Sequence, residues 1–229
     1  ASLFRERDER LGDGADVVQA AVAMGDPRSG TAGLVMATGA EIENAVQAGV
    51  DRLGGTVRLR GTGMAFRREV LGRFPWSAFG LAEDAEYGAI LRAGGVRVRF
   101  VGSARVQNSP PADTADLCQQ RRRWREALFV GGRGRIERWL ASKPLVLGQL
   151  GLTAIAGLLA GPEFAAWAAV LVLLTATVYL RAMVRVGATL RNAFDLWRAP
   201  VLVLRLALVT LAGTVRRGQT WDRTPRVAT

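Results

Sequence analysis

Two uncharged stretches of 17 residues each, Pro144–Ala160 and Phe164–Leu180, constrain this chain more than any other feature. Only Gly161-Pro162-Glu163 separates them. Crossing a hydrocarbon core takes about 17–25 predominantly apolar residues, so each stretch is long enough to span at the short end of that range. The alternative is a buried helical hairpin in a soluble protein, but core helices seldom go so long without a charge. The pattern predicts a two-helix transmembrane hairpin. Trp139 and Lys143 before the first stretch, with Trp167 and Tyr179 in the second, are suited to anchor at the membrane interface. Neither stretch is N-terminal, so neither reads as a cleavable signal peptide.

The charges set an orientation for that hairpin. Thirty-one basic residues against twenty acidic ones give a net charge of +11, and every basic residue except Lys143 is arginine. A pI near 11.4 fits either nucleic acid or an anionic membrane surface. Seventeen of the twenty acidic residues precede residue 141, where twenty-one basic residues nearly balance them. The surplus therefore lies beside the apolar stretches. Arg133, Arg135 and Arg138 precede the first, and Arg181, Arg185, Arg191 and Arg198 follow the second, whereas the connection carries only Glu163. The positive-inside rule then puts both ends in the cytoplasm, as in a multi-pass protein of the cell membrane. A third apolar run, Pro200–Val215, contains Arg205 and is followed at once by Arg216-Arg217, which favours an interfacial helix over a third crossing. Nucleic acid is not an expected partner, because the aromatic residues do not alternate with a basic groove.

Composition narrows the chemistry. The chain has no histidine, which removes His general bases, Ser-His-Asp triads and His-ligated metals. A single cysteine, Cys118, excludes an intramolecular disulfide and a cysteine-cluster zinc site. Three segments follow: an α/β region over 1–140, the hairpin over 141–181, and an interfacial helix with a C-terminal tail over 182–229.

The α/β region alternates the two periodicities. Asp16–Val22 reads as a buried strand, and Thr38 to about Leu53 as a helix ending at Gly54-Gly55. Thr56–Arg60 alternates as a second strand, Glu83–Ala93 is a helix stopped by Gly94-Gly95, and Val96–Val101 alternates apolar and basic as a strand with one wet face. Asp113 or Thr114 can cap a helix running through Trp124.

Three clusters in this region can carry chemistry. Gly61-Thr62-Gly63-Met64-Ala65-Phe66-Arg67-Arg68 lies between a strand and a helix, where small residues let a ligand approach backbone amides closely, though such turns are also common in scaffolds. Glu83-Asp84 opens a helix. Acids there complement the macrodipole, and without histidine a carboxylate is also the natural general base. Gln120, Arg123 and Trp124 share one helical face through their i, i+3, i+4 spacing. That face offers a guanidinium fork suited to phosphate and an indole suited to a sugar ring, or else a solvated basic face with a buried tryptophan.

In this order the clusters resemble the family 2 glycosyltransferases, and within them the membrane-embedded branch of polysaccharide synthases. The likeness rests on Gly61–Arg68, on Glu83-Asp84-Ala85-Glu86-Tyr87, on the strand around Gly95–Phe100 and on Gln-x-x-Arg-Trp 36 residues after Asp84, ahead of membrane helices. At the C-terminus, Trp221-Asp222-Arg223-Thr224-Pro225-Arg226 resembles the Trp-x-Arg-Thr-x-Arg ending of bacterial members. The resemblance implies a GT-A (Rossmann-like) catalytic fold and an inverting transfer from a nucleotide-diphosphate sugar, a UDP-sugar by family habit, to a glycan or lipid-linked acceptor. It makes Asp84 the base, and gives Glu83 the positioning of the loop or the binding of the acceptor. Gln120, Arg123, Thr224 and Arg226 fall to the donor diphosphate, and Trp124 with Gly61, Thr62 and Gly63 to the acceptor.

The family also uses Mg or Mn held by an Asp-x-Asp in an N-terminal half, and this sequence has no Asp-x-Asp. Gly14–Gln19 resembles the strand shortly after that motif. The expectation is therefore the C-terminal, acceptor-side part of a GT-A domain, with the cation's ligands outside this chain. Such a part should not turn over a nucleotide sugar alone, and another chain could supply the missing half. The alternative is a non-catalytic membrane or assembly protein that retains a glycosyltransferase remnant.

Overall fold

The computed structural model describes residues 15–80, 83–109, 115–120, 143–194 and 198–212. It divides into two compact units: residues Ala1–Gly25 with Gly39–Ser109, and residues Asp26–Thr38 with Pro110–Thr229.

In the first unit the apolar run at Val17-Val18 and Ala20-Ala21-Val22 is buried throughout, as a central strand requires. It forms β1 (Val17–Met24), the middle of a three-stranded sheet with order β2-β1-β3. β2 (Met64–Phe66) runs antiparallel to β1, with Gln19 opposite Met64. β3 (Val98–Asn108) runs parallel to it, so the connection between them crosses over through helices. The register between β1 and β3 shifts from Ala20↔Val101 to Ala21↔Arg105, leaving Gly102, Ser103 and Ala104 as a bulge. The strand predicted over Val96–Val101 thus starts later and continues to Asn108.

Helix α1 (Thr31–Arg52) begins seven residues earlier than its sequence pattern predicts. Gly33 reads as a breaker, yet it lets the first turn pack on residues 26–29: a Cβ there would stand 2.3 Å from the Asp26 carbonyl oxygen. Helices α2 (Arg68–Arg73) and α3 (Glu83–Ala93) complete the unit. The bounds of α3 match the sequence reading. Its stop is a Schellman motif, in which Gly95 at φ 76° lets the Val96 N–H reach the Leu91 carbonyl and its own N–H reach that of Arg92.

One expectation is corrected here. Thr56–Arg60 is extended but joins no ladder. Buried amide side chains replace the partner strand: Gln47 Oε1 accepts the Arg58 N–H at 2.9 Å and Gln19 Oε1 that of Arg60 at 2.9 Å, beside one backbone bond from Val57 to Val98. The alternation over Val96–Val101 holds, with Val96, Val98 and Phe100 buried and Arg97 and Arg99 partly exposed, and the basic side chains are ion-paired as well. Arg99 and Arg97 converge on Asp51 (2.7 and 3.4 Å), and Arg105 reaches Glu41 (3.2 Å), all acids of α1. The near balance of charge before residue 141 becomes a helix paired with a strand.

Val17, Leu59, Val70, Tyr87, Leu91, Val98 and Phe100 form the main core of this unit. Each such side chain contributes about 1.5–3 kcal/mol when fully buried. A second cluster joins Val18, Ala20, Val101 and Ala104.

In the second unit, α4 (Lys143–Ala160) and α5 (Pro162–Arg185) pack against each other across Gly161. Their approach depends on small residues, since a Cβ on Gly157 would lie 2.9 Å from that of Ala168. Among the described residues, α5 is the one helix long and apolar enough to cross a membrane, and Leu150–Ala160 of α4 is a shorter apolar helical stretch. Phe164, Trp167, Leu173 and Val184 are all exposed on α5, and the Thr175 and Thr177 hydroxyls bond back to the Leu171 and Leu173 carbonyls. Next come the short α6 (Leu190–Phe194) and α7 (Ala199–Ala212), which takes in the third apolar run up to Ala212 and packs on α4. α7 buries Leu202 and Leu206 and exposes Val201, Leu204 and Leu208.

Candidate active site

Helix α3 fixes the position of Asp84. Its first turn holds Glu83, Asp84 and Glu86, which suits the positive end of the helix dipole. One turn on, Tyr87 and Leu91 are fully buried in the core. Tyr87 stacks at 4.3 Å on Trp76, meets Phe66 edge-on at 5.7 Å and donates its hydroxyl to the Phe74 carbonyl at 2.6 Å. The helix therefore cannot rotate without breaking an aromatic cluster.

Opposite Asp84 lies the Gly61-Thr62-Gly63 turn. Gly61 and Gly63 have φ of 73° and 68°, which side-chain-bearing residues rarely adopt. A Cβ on Gly61 would stand 3.5 Å from Asp84 Oδ2, and one on Gly63 would stand 2.9 Å from Val106 and 3.1 Å from Ala20. The bulge in β3 sets the register that brings Val106 against Gly63, and Asn108 donates to the Thr62 hydroxyl at 3.2 Å. The turn and the carboxylate thus form a small site in which backbone lies beside a possible base.

The Asp84 carboxyl is half-buried, and burial pushes its pKa above the ordinary aspartate range. The Ala85 N–H, 2.7 Å from Oδ1, pulls the other way; the Glu83 charge adds to the rise and Arg58 opposes it. Arg60 is half-buried next to the turn, donates to Asn44 Oδ1 at 2.7 Å and feels the charges of Glu43, Arg58 and Asp84. Glu83 is exposed.

The structure brings Asp84 together with Gly61 and joins Thr62 and Gly63 to the same turn. Gln120 belongs to the second unit, on a helical segment at 115–120. Its Oε1 is buried with no hydrogen-bond partner among the described residues. Arg123, Trp124, Thr224 and Arg226 lie outside the described residues. Sequence reasoning missed Gln19, Asn44 and Arg60. Their signal was available as a lone amide inside the apolar run Val17–Val22 and as an arginine directly before the glycine turn.

The model of glycosyl transferase family group 2 matches residues 11–213, a range that runs through both units. The chain belongs to that family. No curated protein matches it. As a family 2 glycosyltransferase, it belongs to enzymes that move a sugar from a nucleotide-sugar donor to an acceptor, a reaction that needs a base for the acceptor hydroxyl. Members of the family often use a divalent cation. Among the described residues no three His, Cys, Asp or Glu side chains come together to hold one.

Proposed function

We propose that this family 2 glycosyltransferase carries out an inverting hexosyl transfer at the cytoplasmic face of a membrane, from a nucleotide-diphosphate sugar to a glycan or lipid-linked acceptor. The observation that carries the reading is the half-buried Asp84 carboxylate facing the Gly61 backbone at the start of α3. An acceptor hydroxyl seated on the Gly61–Gly63 turn gives its proton to Asp84. Its oxygen bonds to the anomeric carbon as the bond from that carbon to the diphosphate oxygen breaks, and the nucleoside diphosphate leaves from the opposite side. Glu83 stays at the mouth of the site, where it positions the loop or meets the acceptor.

Arginine suits the leaving group because it remains charged and forks onto phosphate oxygens. Gln120, Arg123, Thr224 and Arg226 are assigned to the diphosphate, and Trp124 to the acceptor sugar, on the motif resemblance. The exposed apolar surface of α5 and its internally satisfied threonines support a membrane span, with α4 as its partner in a hairpin and α7 at the interface. The arginines flanking the hairpin support a cytoplasmic catalytic side.

In the full protein in membranes, Asp84→Asn is expected to lower transfer by about 10²–10⁴-fold. UDP binding should survive it. Transfer at the native rate by this variant overturns the reading. Arg123→Ala is expected to weaken UDP binding, and an unchanged affinity by calorimetry removes Arg123 from the donor site.

A further inference from the structure

Gln19 sits on β1 with no exposed surface, in a run where every neighbour from Val17 to Val22 is apolar. A buried carboxamide must have its hydrogen bonds met, and each one left unmet costs about 1–3 kcal/mol. A leucine or methionine would fill the same space without that requirement. The bonds Gln19 makes explain why an amide is there. Oε1 accepts the Arg60 N–H at 2.9 Å, and Nε2 donates to the Thr62 carbonyl at 2.8 Å and to the Ala20 carbonyl at 2.9 Å.

The bonds to residues 60 and 62 straddle Gly61. They begin where the β1–β2 ladder ends, at Gln19↔Met64 and the Ala20 N–H to Gly63 carbonyl bond. The side chain offers one acceptor and one donor, as a partner strand would, so the chain can leave the sheet and turn while remaining bonded. Asn108 and Val106 hold the far side of the turn. The face presented by this two-sided grip is the Gly61 Cα, turned toward Asp84 Oδ2.

We infer that Gln19 is a positioning residue for the transfer site, setting the spacing between the Gly61 backbone and the Asp84 carboxylate into which the acceptor hydroxyl fits. Its catalytic consequence rests on Asp84 being the base; the spacing itself does not. Among the described residues, the charged groups facing Asp84 are Glu83 on its own helix and Arg58 and Arg60 on the extended segment, and no substitution at residue 19 removes them.

The test uses the full chain in detergent micelles and reads two NMR signals, exchange of the Arg60 amide and titration of the Asp84 carboxyl. Gln19→Met keeps the volume but removes all three bonds, those to residues 60 and 62 included. The Arg60 amide should then exchange about tenfold faster or more. The Asp84 midpoint should fall toward the ordinary aspartate range as water reaches the loosened turn. Val18→Ala, which loosens the same strand without touching the turn, should leave both readings native. Gln19→Glu is the rescue: the neutral carboxylic acid again offers a donor and an acceptor, so slow Arg60 exchange, corrected for intrinsic rate, returns at acid pH and is lost as the introduced carboxyl ionises.

Native readings in Gln19→Met overturn the inference, as do equal shifts in Val18→Ala. If Gln19→Met does not fold, Gln19→Glu decides, and absence of acid rescue is the negative outcome. Where transfer is measured, Gln19→Met should lower kcat with donor KM unchanged. The NMR readings need no turnover, so an Asp84→Asn variant that still transfers sugar removes the base assignment and leaves the Gln19 geometry standing.

Discussion

Gly61 presents its Cα directly to Asp84, so closely that a methyl group there would lie 3.5 Å from the carboxylate oxygen. That distance is ordinary contact, so the site excludes a side chain less by collision than by backbone conformation. At φ 73° an alanine is strained by about 1 kcal/mol. Gly61→Ala is therefore expected to fold, with Tm lowered by a few degrees, while transfer falls further because the methyl occupies the acceptor's approach to Asp84. Gly63→Ala adds collisions with Val106 and Ala20 to the same strain and should cost more stability, about 2–4 kcal/mol. Thermal unfolding and transfer measured together separate the two: Gly61 should affect activity out of proportion to Tm, and Gly63 both together.

The raised pKa of Asp84 has consequences of opposite sign for stability and activity. Folding favours the neutral acid, so its contribution is present at low pH and is lost as pH rises from the ordinary aspartate value through the raised folded one. Above that window the folded chain carries a half-buried charge against its preference. Asp84→Asn should then leave Tm at neutral pH unchanged or higher, while transfer is lost. In the native protein, the acid limb of transfer should have its midpoint above the usual aspartate range, because the base works only when ionised. A midpoint at or below that range, or a large drop in Tm for Asp84→Asn, contradicts the assignment.

The sequence made some of this architecture legible and hid the rest for physical reasons. α3 was readable to the residue because its stop is chemical: Gly94-Gly95 supplies a Schellman turn and nothing competes with it. The β1 run was readable because both its faces are buried. Thr56–Arg60 was misread because alternation reports which side chains are buried, not what bonds the backbone, and here Gln19 and Gln47 take the place of a strand. The ion pairs of Arg97, Arg99 and Arg105 are not legible because their partners, Asp51 and Glu41, are more than 40 residues away in sequence. At the site, Asp84 and the glycine turn were nameable from motif order. Gln19 was visible only as an amide out of place, and its role appears once Arg60 and Thr62 are folded around it.

Asp51 holds the α1–β3 pairing. It receives Arg99 at 2.7 Å and Arg97 at 3.4 Å while remaining mostly buried itself, and its own carbonyl accepts Arg97 at 2.7 Å. Both arginines are partly exposed, which limits the net value of each pair. Asp51→Ala removes both and leaves two guanidiniums side by side, so a loss of about 1–2 kcal/mol is expected, visible as a lower urea midpoint with an unchanged m value. Asp51→Asn should lose nearly as much, since an amide cannot neutralise the pair. A midpoint within error of native for both variants would mean the pairs are solvated in solution.

Leu173 lies at the middle of α5 and is largely exposed, as are Leu171, Val172 and Leu174 around it. In water such a helix would be a liability for aggregation; in a bilayer the same surface is what holds it in place. Arginine at the centre of a span costs about 2.5–3.5 kcal/mol on insertion scales, and residue 173 lies too far from either end of α5 for snorkelling to relieve that fully. Leu173→Arg should therefore shift a large fraction of the chain out of the carbonate-resistant membrane pellet, whereas Leu173→Ala should not. Arg185, at the end of the helix, offers the converse control: Arg185→Leu should leave membrane retention intact. If Leu173→Arg stays fully in the pellet and Leu173→Ala behaves identically, α5 packs against protein, not lipid, and the hairpin reading fails with it.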